Sequence, residues 1–187
     1  LVDNPLLDHE FTVFGVIAGI DYVTANRVLP AVANMSLGGG ASSSLDAAVN
    51  QSIQAGVAYA VAAGNGNMGG VAQDACKYSP ARVAAAMTIG ATNQTDTKTS
   101  WSNYGNCVDW FAPGYQITSA WYSSNTATNT ISGTSMATPH TTGVAALYLQ
   151  THTSDTPAQV RAALYAATTK GVVKSSKTTN NPLLFTS

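Results

Sequence analysis

The chain has 187 residues, a formal net charge of −1, 45% hydrophobic residues and only 9% charged residues. This composition excludes a disordered chain, and the length predicts a single domain over residues 1–187. Because the chain has no basic face to neutralise phosphates and no run of about 18 apolar residues, we expect neither nucleic acid nor a membrane as a partner.

The first half of the chain alternates helix-like and strand-like segments. Helical spacing of apolar residues predicts a helix over 11–25, and a short apolar run predicts a buried strand over 31–37. Ser43, followed by Asp46 in a pattern resembling a capping box, predicts the start of a second helix that stops at Gly56.

The second half continues this alternation. Residues 57–63 are continuously apolar, which is typical of a strand in a parallel sheet covered on both faces. Further strands are predicted over 87–91 and 115–119, and helices over 135–150 and 156–167. Strands that alternate with helices indicate an α/β domain with a mainly parallel sheet.

The two cysteines, Cys76 and Cys107, are too few to form a metal site alone. In an oxidising compartment they would form one disulfide, and otherwise they would be two buried free thiols. Their spacing by itself leaves both interpretations open.

The segment I-S-G-T-S-M-A-T-P-H, residues 131–140, places Ser135 at the start of an apolar helix. The unpaired N–H groups and positive end of a helix favour negative charge, so Ser135 is a candidate nucleophile whose own backbone N–H would meet an oxyanion. The alternative is that Ser135 is simply the N-cap of this helix.

Two glycine-containing segments are candidates for substrate binding. Asn65 follows a predicted buried strand, and its amide would donate to a developing oxyanion, although a turn Asn beside glycine is the alternative. The segment S-L-G-G-G, residues 36–40, has a bare backbone on which a peptide could pair as an added strand; the alternative is a flexible loop before a helix.

Five segments in this order resemble the subtilisin-like serine proteases: N-M-S-L-G-G-G, A-V-A-A-G-N, Y-S-P-A-R-V, W-S-N-Y-G-N-C-V-D-W-F-A-P-G and G-T-S-M-A-T-P-H. They most resemble the proteinase K and aqualysin branch, over about residues 15–167. The resemblance implies a subtilisin-like three-layer α/β fold that is truncated at the N-terminus, as the C-terminal portion of a secreted catalytic domain. It also implies that Ser135 is the nucleophile and Asn65 the oxyanion donor.

The resemblance assigns further residues. It implies that Cys76 and Cys107 form a disulfide. It implies that a substrate backbone pairs with Ser36, Leu37 and Gly38, and that one wall of an apolar S1 pocket is formed by Ala62, Ala63 and Gly64. It also implies a calcium site, for which the ligands would be Asp109 and the carbonyl groups of Ala84 and Ala86, with water as the other ligands.

The sequence departs from the family in its triad. Neither the family's Asp motif nor its His-Gly-Thr-His motif occurs in this sequence. In the family both motifs precede the region that this sequence matches. His140 and His152 are expected to lie away from Ser135, because they are five and 17 residues further along the same helical segment. His9 is a speculative general base.

These observations lead to three hypotheses. The first is a serine hydrolase of subtilisin-like peptidase ancestry, which without a base would hydrolyse activated esters rather than peptide amides. The second is a stand-alone serine esterase that uses His9 or water as the base. The third is a non-catalytic fragment that binds peptides. Because a truncated sheet exposes a strand edge, self-association or a complementing N-terminal fragment is expected.

Overall fold

A computed structural model of the protein describes residues 12–179 and 181–184. The helices are α1 (Val13–Asn26), α2 (Ser43–Gln54), α3 (Thr134–Leu149) and α4 (Pro157–Ala167), with one 3-10 turn at Ala75–Lys77. The strands are β1 (Ala31–Met35), β2 (Gly39–Gly40), β3 (Val57–Ala62), β4 (Tyr78–Ser79), β5 (Met87–Thr92), β6 (Trp110–Pro113), β7 (Ile117–Ala120) and β8 (Thr128–Ile131). None of the helices in this part of the chain has the length and apolar character needed to cross a membrane.

The central sheet has four parallel strands in the order β1-β3-β5-β6. Every residue of β3 and β5 is buried, which explains their continuous apolar sequences. Helices α1 and α2 cover one face of the sheet, where Val49 and Val61 lie in the core. Helices α3 and α4 cover the other face, where Trp110 and Ile89 are fully buried. The predicted α/β fold with three layers and a mainly parallel sheet is therefore confirmed.

The predicted elements are found with three differences. The N-cap of α2 is Ser42 rather than Ser43, because the Ser42 hydroxyl accepts from the Leu45 N–H. Strand β6 has no sequence-based prediction, because it is only four residues long and follows a loop. The strand predicted over 115–119 is β7, which pairs antiparallel with β8 in a separate two-stranded ribbon instead of joining the parallel sheet.

The predicted disulfide is present between Cys76 and Cys107, whose Cα atoms are 5.3 Å apart. It joins the 3-10 turn before β4 to the loop before β6. Both loops lie beside a small apolar cluster that contains Val108 and Phe111. The disulfide therefore holds together the two loops at this end of the sheet, and it agrees with an oxidising compartment.

Lys98 is a buried lysine that no acidic side chain pairs with in the described part of the chain. Its ammonium group donates hydrogen bonds to the carbonyl oxygens of Thr99, at 2.9 Å, and Ser102, at 2.8 Å. Burial, and to a smaller extent the charge of Lys177, lowers the pKa of Lys98 from 10.5 to about 8. At neutral pH the amine therefore stays mostly charged, but the folded chain releases this proton at a lower pH than the unfolded chain does.

We expect the contribution of Lys98 to stability to improve as the pH rises. Between the folded pKa of about 8 and the unfolded pKa of 10.5, the unfolded chain binds more protons than the folded chain. The free energy of unfolding therefore rises with pH in this range, by up to about 3 kcal/mol, as the penalty for burying the charge is removed. Urea unfolding of the wild type and Lys98→Met at about pH 7 and about pH 10 measures this effect. The difference in the free energy of unfolding, wild type minus Lys98→Met, should be larger at about pH 10 than at about pH 7. An exposed lysine, Lys77→Met, controls for the loss of a lysine, and an unchanged difference between wild type and Lys98→Met contradicts the prediction.

Candidate active site

The candidate active site lies where the carboxyl ends of β1 and β3 meet the amino end of α3. Ser36 follows β1 directly, Asn65 lies three residues after the end of β3, and Ser135 is the second residue of α3. Open α/β sheets bind ligands at this edge, because the carboxyl ends of parallel strands meet there. A cleft of about 350 Å³ is open here, and eight of its lining residues belong to the predicted site or directly precede the nucleophile: Leu37, Gly38, Ala62, Ala63, Gly64, Asn65, Thr134 and Ser135.

Ser135 is not the N-cap of α3. Gly133 occupies the cap position, and no side chain caps this end of the helix. The Ser135 hydroxyl instead donates to the carbonyl oxygen of Ser36 at 3.1 Å, and the Ser36 hydroxyl donates to the carbonyl oxygen of Ser135 at 2.7 Å. These two bonds join the end of β1 to the first turn of α3, and Ser135, a partly exposed residue, lines the cleft.

The side-chain amide of Asn65 has a defined orientation. Its Oδ1 accepts two hydrogen bonds from Thr134, one from the backbone N–H at 2.8 Å and one from the hydroxyl at 2.9 Å. With both donors on Oδ1, the Nδ2 group of Asn65 is turned the other way, and it has no hydrogen-bond partner within residues 12–179 and 181–184. A turn asparagine would bond to its own loop, whereas Asn65 reaches a residue 69 positions later.

The nitrogen atoms of two N–H donors lie equally far from one point beside Gly133, a point that Met136 Sδ also approaches to 3.5 Å. A Cβ atom built on Gly133 would lie 3.5 Å from Asn65 Nδ2 and 3.5 Å from the Ser135 backbone nitrogen. An oxygen at such a point is close to the range of about 2.7–3.1 Å at which oxyanion donors act. The same donors lie at the positive end of α3, which also favours negative charge. The geometry can therefore hold a developing oxyanion next to the Ser135 hydroxyl.

Thr134 is a site residue that the sequence analysis did not single out, although it lies inside the G-T-S motif. It is fully buried, and its hydroxyl also accepts from the Gly64 N–H at 3.1 Å. Gly64 itself needs a left-handed backbone, with φ of +101°, and a Cβ there would lie 2.4 Å from the amide nitrogen of Asn103. No other residue fits at this position, so Thr134 and Asn103 together fix the loop that carries Asn65.

The segment predicted to bind a substrate backbone is ordered rather than a flexible loop. Gly39 and Gly40 form β2, which pairs antiparallel with Ser79 and Tyr78 of β4. Ser36, Leu37 and Gly38 precede this pairing, and they line the approach to Ser135 without a strand partner in the described part of the chain. Leu37 and Gly38 line the cleft, whereas the Ser36 carbonyl oxygen already accepts from the Ser135 hydroxyl.

Neither of the two described histidines is hydrogen-bonded to Ser135. His140 Nδ1 lies 2.9 Å from the Met136 carbonyl oxygen one turn earlier in α3. His152 stacks on Tyr148 at the other end of that helix, with ring centroids 3.9 Å apart. His9 lies outside the described residues, and its role as a general base stays a prediction. The only bond of the Ser135 hydroxyl within those residues is to a carbonyl oxygen, which accepts a hydrogen bond but is not a base at neutral pH.

Asp109 pairs with a cation of the protein itself. The residue is 9% exposed, and its carboxylate has Oδ1 in an ion pair with Arg161 and Oδ2 accepting from the Thr88 N–H at 2.8 Å. Burial raises the pKa of Asp109, and Arg161 and the Thr88 N–H oppose that rise.

This arrangement does not fit a calcium ion at Asp109, because Arg161 holds the oxygen that a cation would need. Within residues 12–179 and 181–184, no group of three or more His, Cys, Asp or Glu side chains is placed to hold a metal. Calcium bound by Asp109 with the carbonyl groups of Ala84 and Ala86 stays a prediction, and it requires Arg161 to move away.

Known proteins resemble this chain over most of its length. A sequence profile of the Subtilase family matches residues 2–182. "Extracellular serine proteinase" of Thermus sp. (strain Rt41A) is 62% identical over 172 residues, a match that covers 91% of this chain and 41% of that protein. "Alkaline serine exoprotease A" of Vibrio alginolyticus is 54% identical over 171 residues, which is 91% of this chain and 31% of that protein.

A solved structure has the same fold. The protein described as a cold adapted subtilisin-like serine proteinase superposes with a TM-score of 0.87 and 51% sequence identity, over 93% of this chain and 61% of its own chain. The present chain therefore spans 41% of the length of the Thermus relative and 61% of the solved chain.

Proposed function

The chain belongs to the subtilase family, and from this we propose that it is a serine hydrolase in which Ser135 attacks an acyl carbonyl and Asn65 stabilises the oxyanion. The observation that carries this proposal is that Asn65 Nδ2 and the Ser135 backbone nitrogen lie equally close to one point beside Gly133. The relatives named as serine proteinases support an acyl substrate, that is, a peptide or an ester.

The residues at the site support the following sequence of steps. The Ser135 hydroxyl oxygen forms a bond to the acyl carbon, its proton passes to water, and the carbonyl oxygen becomes an oxyanion between the two N–H donors. The intermediate collapses as the bond to the leaving group breaks, which leaves an acyl group on Ser135. Water then attacks this acyl group through a second oxyanion, releases the acid and restores the hydroxyl.

The cleft offers a place for each part of an acyl substrate. Backbone groups of Ser36 and Gly38 would pair with an extended acyl chain as with an added strand. Beside them, Ala62 ends the buried β3 and Ala63 follows it, and both line the cleft as apolar residues. An apolar or aromatic side chain next to the scissile carbonyl would lie against this wall, as the resemblance predicts.

The leaving group decides which acyl substrates react. Within residues 12–179 and 181–184, the Ser135 hydroxyl donates to the Ser36 carbonyl oxygen, which is not a base at neutral pH. In hydrolases that lack triad members, the oxyanion hole and binding still accelerate the reaction by about 10³–10⁴ over water. This is sufficient for an ester with a good leaving group, whereas an amide also needs its nitrogen protonated before it leaves. We therefore propose that ester hydrolysis exceeds amide hydrolysis.

The experiment compares a nitrophenyl ester and a nitroanilide that carry the same acyl group. The wild-type chain is expected to hydrolyse the ester faster than buffer does and to leave the anilide intact. Cleavage of the anilide at a comparable rate would contradict the proposed absence of a base. An ester rate equal to that of buffer would contradict the proposed hydrolase function.

A function in peptide binding alone is the second candidate, and one observation favours it. The Ser135 hydroxyl donates to the Ser36 carbonyl oxygen rather than to a base, so nothing among the described residues activates it for attack. Peptide binding measured by calorimetry, together with an ester rate equal to that of buffer, would support this function over hydrolysis.

We propose that two copies of the chain associate through their open apolar surface. In the described residues β1 pairs on one side only, and large apolar side chains stay exposed: Phe14 at 84%, Tyr22 at 70% and Leu147 at 63%. The net charge of −1 provides little repulsion between copies.

Light scattering should give a mass above that of one chain, and Leu147→Lys should reduce this mass. A monomer at every concentration would contradict the proposal, and a monomer that binds an added subtilase N-terminal fragment would favour that fragment as the partner.

A secreted location is proposed on two grounds. The Thermus relative is named extracellular, and the chain forms a disulfide, which persists in oxidising compartments.

A further inference from the structure

We propose that Asn103 is a positioning residue that sets the place of the oxyanion donor Asn65. The inference rests on the proposed function, and it assigns a role to a residue that takes part in no bond-forming step of that function. Asn103 is 1% exposed, and its side chain bonds to backbone groups on both sides of Asn65. Its Nδ2 donates to the Ala63 carbonyl oxygen at 2.8 Å, and its Oδ1 accepts from the Gly66 N–H at 3.1 Å.

The backbone of Asn103 adds a third contact to the same loop. Its N–H donates to the Gly64 carbonyl oxygen at 2.9 Å, so residues 63, 64 and 66 are each bonded to this one residue. Its Oδ1 also accepts from the Gln73 N–H at 2.8 Å. Asn65 itself is exposed, and its side chain is held only by Thr134 among the described residues. The loop backbone therefore depends on Asn103, and the amide orientation depends on Thr134.

Asn103 is in turn fixed to the central sheet. The Ser102 hydroxyl accepts from the Ala91 N–H of β5 at 3.0 Å and donates to the Asn103 carbonyl oxygen at 3.2 Å. The Lys98 ammonium group holds the neighbouring Ser102 carbonyl oxygen at 2.8 Å. A continuous set of bonds thus runs from β5 through Asn103 to the loop that carries Asn65.

The chemical consequence is a precise place for one N–H group. Oxyanion stabilisation depends on the distance from donor to oxygen, and misplacement of a catalytic group by about 1 Å can reduce a rate by about 10². A loop released from Asn103 keeps the Asn65 side chain but no longer holds its Nδ2 group beside the Ser135 N–H. The effect should therefore fall on kcat, since the Ser36 to Gly38 segment that binds the acyl chain has no bond to Asn103 in the described residues.

The test uses Asn103→Ala with Asn93→Ala as a matched control. Asn93 also organises a turn, because its Oδ1 accepts from the Thr95 and Thr97 N–H groups, but it has no bond to residues 63–66 in the described part of the chain. Asn103→Ala should lower kcat for the ester at least tenfold with KM within about twofold, and Asn93→Ala should leave both near the wild-type values. Equal kcat in Asn103→Ala and the wild type overturns the inference.

A second variant separates positioning from a general loss of structure. In a chain that already carries Asn65→Asp, the donor is gone, so adding Asn103→Ala should lower kcat no further. A full, additive loss in the double variant would show that Asn103 acts by another route and would overturn the inference.

Hydrogen exchange gives a readout that does not need activity. The amides of residues 64–66 should exchange faster in Asn103→Ala and at the wild-type rate in Asn93→Ala. If the wild type shows no Ser135-dependent turnover, the proposed function is overturned, and this exchange alone decides the inference: unchanged rates at residues 64–66 would refute it.

Discussion

Ser135→Ala is expected to lower the rate of ester hydrolysis at least about tenfold, leaving only the residual acceleration that the oxyanion hole and binding supply. The substitution removes one oxygen atom, the one that forms the bond to the acyl carbon. The Ser135 backbone N–H and the Asn65 amide stay in place, so binding of a peptide in the cleft should change little. The measurement is the initial rate with the nitrophenyl ester, together with the affinity for a peptide by calorimetry.

Ser132→Ala is the matched control for this prediction. Ser132 lies three residues before the nucleophile, is exposed, and accepts a hydrogen bond from the Gln116 N–H through its hydroxyl. The same atom is removed from the same residue type, but no bond-forming step is affected, so the ester rate should stay near that of the wild type. Retention of the wild-type ester rate by Ser135→Ala would mean that another group attacks the substrate.

Asn65→Asp is expected to lower kcat for the ester by about 10²–10³, equivalent to about 3–4 kcal/mol, with little change in KM. A carboxylate oxygen at Oδ1 still accepts both bonds from Thr134, so the loop should keep its shape. The Nδ2 donor, however, is replaced by an oxygen that repels the oxyanion. Because Asn65 is exposed, the new charge stays in water, and its cost in stability should be small.

Asn67→Asp controls for the added charge. Asn67 lies two residues further along the same exposed loop, and its Oδ1 accepts from the Gly69 and Val71 N–H groups. The same chemical change at this position adds the charge without removing an oxyanion donor, so kcat should stay within about twofold of the wild type. Equal losses in both variants would indicate a general charge effect and would contradict the assigned role of Asn65.

The local elements follow from short-range signals. The Thr-Pro-Ala-Gln segment predicts the start of α4, and Thr156 and Gln159 form the capping box with Pro157 at the first helical position. The continuous apolar sequence of β3 predicts its burial for a similar reason, since a strand covered on both faces has no polar side. Such signals do not predict that β7 and β8 form a separate ribbon, because the sheet that a strand joins depends on which strand lies next to it in space.

The candidate site likewise has some features that the sequence indicates and others that only the structure shows. The helix start at Ser135 and the Gly-Asn turn after β3 are visible in the sequence, but each has an ordinary structural alternative. Only the structure shows that Gly133 caps α3 and that Asn65 bonds to Thr134, which removes both alternatives. Asn103 carries no sequence signal for its role, because its partners lie about 30 to 40 residues away.

The amino-acid sequence by itself predicted the helices and the buried strands, since periodicity and capping act over a few neighbouring residues, and its motifs made Ser135 and Asn65 candidates for the nucleophile and the oxyanion donor. Tertiary structure alone decided the direction of the Asn65 amide, the bond between Ser135 and Ser36, and the pairing of Asp109 with Arg161. These contacts join residues 69, 99 and 52 positions apart, respectively. Their geometry depends on how parallel strands and helices pack, and no local pattern in the chain specifies it.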